Sequence, residues 1–174
     1  SSVFSSRALV GAISWRPPGQ ILRANQGPTN NGGSLGAGMF LDLQAINDAV
    51  ITSFTAATNT VANGNFQVQV HTRNGSALGG GLGSGPTSSP AGWTLHATVS
   101  GKQGATGNLS LPITIPDLPI TAGQTMGIAL VFVDTGPSYF GQGSGTPATY
   151  LGPSLRLITG EARSAPFTTT GNFF

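Results

Sequence analysis

The chain begins with a strand too apolar to be left in water. Residues 1–18 read SSVFSSRALVGAISWRPP, with Leu9, Gly11, Ile13 and Trp15 on one face at period two and Ala8, Val10, Ala12, Ser14 and Arg16 on the other. Pro17 and Pro18, followed by Gly19, give it a hard stop. Proline donates no ladder hydrogen bond and drives its predecessor toward extended backbone. Such a strand must pair with a sheet, either its own or a neighbour's. In the second case the chain is a polymer subunit. The expected organisation is a donor strand and linker over residues 1–18 and a sandwich domain over 19–174.

Composition fixes the kind of surface the domain can have. Charged residues are 7% of the chain, against about 25% in an average globular protein. Glycine supplies 27 of the 174 residues. The surface is therefore hydroxyl, amide and glycine backbone rather than ion pairs. Hydrophobic residues at 38% with a net charge of only +2 favour folding over disorder. Arg7, Arg16, Arg23, Arg73, Lys102, Arg156 and Arg163 are scattered, so no basic cluster is available to track nucleic acid. Cysteine is absent, which removes disulfides, thiolate metal sites and thiol catalysis. No apolar run approaches the ~20 residues of a membrane helix. The opening SSV and the uncharged, hydroxyl-rich surface point to an exported, extracellular or cell-surface protein.

Strand signals recur along the chain. Residues 49–58 and 65–73 alternate at period two, the second with Phe66, Val68 and Val70 facing in and Gln67, Gln69 and His71 facing out. Asn63-Gly64 between them reads as a hairpin-type turn. In residues 93–100, Trp93, Leu95, Ala97 and Val99 share a face, and Pro112 places residues 108–115 at an edge or bulge. Residues 126–133 (MGIALVFV) are nearly all apolar and read as the central strand. Residues 74–92 form a Gly/Ser/Pro loop expected to be exposed and tolerant of insertion. Only residues 41–50 could hold a helical turn. Eight or nine strands at roughly 10–15-residue spacing give an all-β, two-sheet antiparallel β-sandwich, jelly-roll-like, with an N-terminal strand available for donation.

The runs Met39-Phe40-Leu41-Asp42-Leu43, Ile51-Thr52-Ser53-Phe54-Thr55, Trp93-Thr94-Leu95 and Ile120-Thr121-Ala122-Gly123-Gln124-Thr125-Met126-Gly127 carry a family resemblance. Over residues 36–160 the chain resembles an uncharacterised group of secreted bacterial β-sandwich domains. The resemblance implies fold and export, and brings no catalytic residues with it. Domains of that group close with an F-x-x-R-x-x-x-G-x-I-x-Y/W strand, whereas this chain ends Gly171-Asn172-Phe173-Phe174. The matching text, from Phe4 to Trp15, stands at the other end. A donor-strand polymer produces that arrangement, and so does a permuted strand that closes its own domain. The polymer is the leading reading.

The residue types that carry chemistry give no strong constellation. His71 and His96 have no partner at metal spacing, and no G-x-S-x-G elbow is present, so catalysis is not expected. Asp42, Asn47 and Asp48 lack the spacing of a calcium loop and read as turn caps. The five acids form no facing pair for glycoside hydrolysis. Gly79-Gly80-Gly81 is followed by no Lys-Ser/Thr and reads as a flexible loop rather than a phosphate cradle. No metal or cofactor is expected.

The expected function is that of a structural subunit of an extracellular, pilus-like filament, polymerising head to tail through copies of itself. Leu9, Val10, Gly11, Ile13 and Trp15 are the expected anchors, and Arg7 and Arg16 set the register. Four large apolar side chains contribute roughly 6–12 kcal/mol gross on burial. Two other readings stand beside it. A monomeric secreted carbohydrate-binding module would use Tyr139, Phe140 and Tyr150 as a stacking platform for a surface glycan. A viral coat protein would carry a basic arm, which two arginines in residues 1–16 do not supply.

Overall fold

The computed structural model describes residues 7–9, 11–16, 20–24, 29–80, 83–106, 109–141 and 146–170. In chain order the strands are β1 (Arg7–Leu9), β2 (Gly11–Arg16), β3 (Gln20–Ala24), β4 (Asn31–Gly32), β5 (Gly38–Ala45), β6 (Ala49–Ala56) and β7 (Asn65–Asn74). There follow β8 (Thr94–Lys102), β9 (Ile113–Ile120), β10 (Thr125–Phe132), β11 (Ser138–Gly141), β12 (Thr149–Leu151) and β13 (Leu155–Arg163). Among the described residues the helical element is one 3-10 turn, Pro86–Ser88.

The strands make two antiparallel sheets packed face to face. The larger runs β4-β11-β1-β13-β5-β10-β7-β8, with β12 also paired to β13, and the smaller runs β3-β2-β6-β9. The all-β sandwich read from the sequence is the observed fold class. More strands are present than the eight or nine expected, because short segments such as β1, β4 and β12 complete the large sheet. Residues 41–50, the one stretch with a helical option, are divided between β5 and β6.

Alternation puts the core between the sheets. Met39, Leu41 and Leu43 of β5, Phe66, Val68 and Val70 of β7, and Ile128, Leu130 and Phe132 of β10 face Ile51 and Phe54 of β6 and Ile113, Ile115 and Leu118 of β9. β10 lies between β5 and β7, at the centre of the large sheet as its apolar run requires. β9 is an edge strand of the small sheet, and its prolines Pro116 and Pro119 are tolerated there for want of a second neighbour.

Two readings of parity and one of a turn change. In β6 an irregularity between Ile51 and Ser53 brings Ile51 and Phe54 to the same buried face, where strict alternation would separate them. In β8 an irregularity opposite Val70 and His71 leaves Leu95 half exposed, off the face of Val99. Asn63 does take the left-handed backbone of a turn (φ 60), but it joins β6 and β7, which lie in different sheets.

Candidate functional site

The N-terminal segment is built into both sheets. β1 pairs with β11 (Ala8 opposite Phe140, Leu9 opposite Tyr139) and touches β13 at Gly160. β2 then enters the small sheet as an interior strand between β3 and β6. Ile13 stands opposite Leu22 and Phe54, Ser14 opposite Ile21 and Ser53, and Trp15 opposite Gln20 and Ile51. In the single chain β1 and β2, from the segment read as a donor strand and linker over residues 1–18, sit in the two sheets. An interior strand leaves none of its ladder groups to solvent, which is why β2 does not stand free.

Parity assigns the anchors. Ile13 is 4% exposed and Trp15 2% exposed, both within the core, while Ser14 between them is half-buried on the far face. Gly11 is needed for the fit, since a Cβ there would lie 1.9 Å from the Thr55 carbonyl oxygen. The neighbouring Ala12 N–H donates to Thr55 Oγ1 at 2.7 Å. Ile13 also lines an apolar void of about 20 Å³ with Leu41, Leu43, Phe54 and Leu118, too small for a ligand. Among the described residues the buried Trp15 indole N–H has no hydrogen-bond partner. Val10 and the side chains of Leu9, Arg7 and Arg16 lie outside the described residues, although Leu9, Arg7 and Arg16 have ladder partners.

The aromatic platform does not assemble. Tyr139 is fully buried and belongs to the core, so its ring has no face for a sugar. Phe140, its neighbour on β11, takes the opposite side of the strand and is half-buried. Tyr150 sits on β12, half-buried against the core. The three do not share a surface. The candidate oxygen ligands are engaged elsewhere: Asp42 is buried in β5, Asn47 donates to the Pro153 carbonyl, and Asp48 accepts from the Ala122 N–H. Among the described residues, no group of three His, Cys, Asp or Glu is placed to hold a metal ion.

A second cluster, not anticipated from the sequence, lies on the outer face of the large sheet. The loop after β7 and residues 164–168 after β13 fold over it as a cap. Phe40 points outward from β5 and meets Trp93 (centroids 5.6 Å apart) and Phe167 (5.5 Å). Trp93 and Phe167 are 5.3 Å apart, His71 is 5.0 Å from Phe167, and the Arg73 guanidinium lies over Trp93. Burial holds the His71 imidazole below its ordinary value.

Ionisable groups fasten the cap. Asp42 accepts from Ala77 N–H at 2.7 Å and from the Ser76 hydroxyl at 2.5 Å. Burial pushes its carboxyl up, with Ser76, Ala77 and Arg73 pulling the other way. Arg163, fully buried, donates to the hydroxyls of Thr87 and Ser88 and to the Thr168 carbonyl. Glu161 lies 3.6 Å from the same guanidinium, and burial raises its carboxyl too. These contacts correct part of the expectation for residues 74–92: Ala77, Thr87 and Ser88 are buried, because the loop covers Phe40 and supplies partners to Asp42 and Arg163, while Gly79, Gly80 and residues 83–85 are exposed as expected. Glycine permits the approach. A Cβ on Gly127 would lie 2.7 Å from Ala77 N, and one on Gly160 would lie 2.4 Å from the Leu78 side chain.

Comparison with known proteins finds no matching family model, no similar curated protein and no similar solved structure.

Proposed function

We propose that this chain is a non-catalytic structural subunit, exported to the cell surface or beyond, that polymerises by exchanging its N-terminal strand with copies of itself. The observation that carries the reading is the seat of β2: an interior position between β3 and β6, keyed by Gly11 against Thr55 and filled by Ile13 and Trp15. In the single chain that seat is taken by the chain's own strand. Exchange puts a neighbour's strand in the same place with the same contacts, so cis and trans closure differ only in the hinge and in concentration.

The hinge favours opening. Arg16 and Pro17 each precede a proline and are both driven toward extended backbone, which opposes the tight return from β2 to β3. A connection whose sequence prefers extended backbone favours exchange over return. Donor and acceptor are different surfaces, so the contact is heterologous and grows an open chain unless its rotation closes a ring. The sparse charge and the strand order of the resembling secreted domains fit the same reading.

Chains carrying Ser14→Cys and chains carrying Ser53→Cys, refolded together at high concentration and then oxidised, test it. The native chain has no cysteine, and these two positions are ladder partners. The expected result is an interchain disulfide between the two variants and a ladder of species from the Ser14→Cys/Ser53→Cys chain. Only intrachain bonds in the double variant, with none in the mixture, would overturn it.

A further inference from the structure

Asparagine followed by glycine occurs at residues 31–32, 63–64 and 74–75. Such a pair carries its own nucleophile, the glycine amide nitrogen, with no side chain on the glycine to hinder its approach to the asparagine amide. The fold treats the three pairs differently. The Gly64 N–H donates to the Val61 carbonyl at 2.9 Å, in a turn where Asn63 has left-handed backbone. The Gly75 N–H donates to the Thr125 carbonyl at 3.0 Å, and Gly75 bridges to Met126 of β10. At the first pair both residues are exposed, and the Gly32 N–H donates at 2.9 Å to Oδ1 of Asn31 itself. We propose that Asn31 is a self-modification site, at which the Gly32 nitrogen closes on the side-chain amide and converts Asn31 to aspartate and isoaspartate, loosening β4.

Strand pairing leaves that nitrogen available. β4 is the outermost strand of the large sheet, paired only with β11. The Gly33 N–H donates to the Pro137 carbonyl at 2.8 Å, so by alternation the Gly32 N–H points the other way, out from the open edge. The contact with Oδ1 folds the Asn31 side chain back on this nitrogen and holds Cγ, one bond from Oδ1, beside it. Solvent hydroxide removes the Gly32 amide proton, the nitrogen bonds to Cγ, and the Cγ–Nδ2 bond breaks to release ammonia. Water then opens the cyclic imide. Cleavage of the new N–Cγ bond gives aspartate, and cleavage of the original backbone C–N bond gives isoaspartate. The second product adds a methylene to the backbone of β4. On one side of it the Asn30 side chain grips both backbone groups of Gly141, and on the other Gly33 is bonded to Pro137. A longer chain between those two fixed contacts cannot keep both in register.

The test is to age the full chain in mildly alkaline buffer, folded and in guanidinium, and to follow all three pairs by peptide mapping. In the folded protein Asn31 should convert at least about tenfold faster than Asn63 and Asn74. In guanidinium, where each glycine nitrogen is equally free, the three rates should fall within about threefold of one another. A lead for Asn31 in the folded chain no larger than its lead in guanidinium overturns the proposal. The products separate the chemistry: ring closure leaves isoaspartate beside aspartate, whereas aspartate alone would mean direct hydrolysis by water and would overturn the role of Gly32. The isoaspartate-bearing protein, isolated by ion exchange, should exchange its Gly33 and Gly141 amides at least about tenfold faster than the unmodified protein. Unchanged exchange at both would overturn the loosening of β4.

Discussion

On the inner side of β5, Met39, Leu41 and Leu43 meet only the apolar interior of the sandwich. On the outer side of the same strand, Phe40 meets Trp93 and Phe167, and Asp42 holds the backbone of Ala77 and the hydroxyl of Ser76. Both sides are buried, by different means. Inside, one sheet covers the other and the side chains need only be apolar and of the right size. Outside, irregular chain covers the sheet, its backbone groups need partners, and buried ionisable groups provide some of them. The inner core sets whether the domain folds. The outer one sets whether the cap stays down.

Placing a charge inside should do the most damage. Ile13→Asp puts a carboxylate against the apolar side chains of Leu41, Leu43 and Phe54, at an expected loss on the order of 5 kcal/mol. Ser14→Asp, one residue along and half-buried on the far face, should cost about 1 kcal/mol or less. Urea midpoints of the two variants make the comparison. Similar midpoints would mean β2 is not seated by its inward face.

On the outer face the matching test is Arg163→Met. The substitution keeps the apolar stem, removes the donors to Thr87, Ser88 and Thr168, and leaves the half-buried Glu161 without its cation. The expected loss is about 3 kcal/mol. Adding Glu161→Gln should recover part of it, since the charge left behind is then gone. The signature is local: proteolysis within the cap should rise before the global unfolding midpoint moves by the same amount. Loss of the whole domain in one step, with no early cleavage, would merge the two cores into one.

Much of the inner region was legible in the sequence and little of the outer one. Phe66, Val68 and Val70 alternate with Gln67 and Gln69, and the run from Met126 to Phe132 reads as central, because both patterns record which neighbours a strand must have on each side. The seat of Ile13 and Trp15 follows from the same period of two. That β2 fills its own sheet was not legible, since strand pairing depends on partners far along the chain. The cap left only indirect traces. Phe40 occupies the outward parity of β5, and Gly127 and Gly160 stand where a side chain would block the loop. A Gly/Ser/Pro composition like that of residues 74–92 is shared by mobile loops and by loops packed through backbone and hydroxyl contacts. Tyr139 misled for a related reason: an aromatic beside a glycine-rich stretch looks exposed until the strand that covers it is placed.

Acid should sharpen the contrast. Burial favours the protonated forms of Asp42 and Glu161 in the fold, so their contribution is complete below the unfolded carboxylate pKa and is lost as pH rises through the raised folded values. His71 works in the opposite sense: its contribution is complete above about 6.5 and is lost as pH falls through its lowered folded value. Asp42→Asn keeps an acceptor for the Ala77 N–H and removes the buried charge. It should be the more stable protein at pH 7, with a lead that shrinks as pH falls toward 3. Thermal melts across that range decide, and a lead that stays constant would mean the carboxylate's charge is not its source.

The smallest expected change is the most discriminating for β2. Trp15→Ala would leave a large cavity, at about 3–5 kcal/mol, and says little about the indole itself. Trp15→Phe separates two opposing terms. Among the described residues the buried indole N–H has no acceptor, a penalty of about 1–3 kcal/mol that phenylalanine does not carry. Against that stands the lost packing of the smaller ring near Leu22 and Gly152, where a Cβ on the glycine would already lie 3.0 Å from the indole. The terms are of similar size, so the net change should fall within about 1 kcal/mol of zero. Denaturant unfolding of the two proteins at matched low concentration measures it. A loss above 3 kcal/mol would mean that the N–H finds a partner in solution and that Trp15 anchors β2 by a hydrogen bond as well as by its bulk.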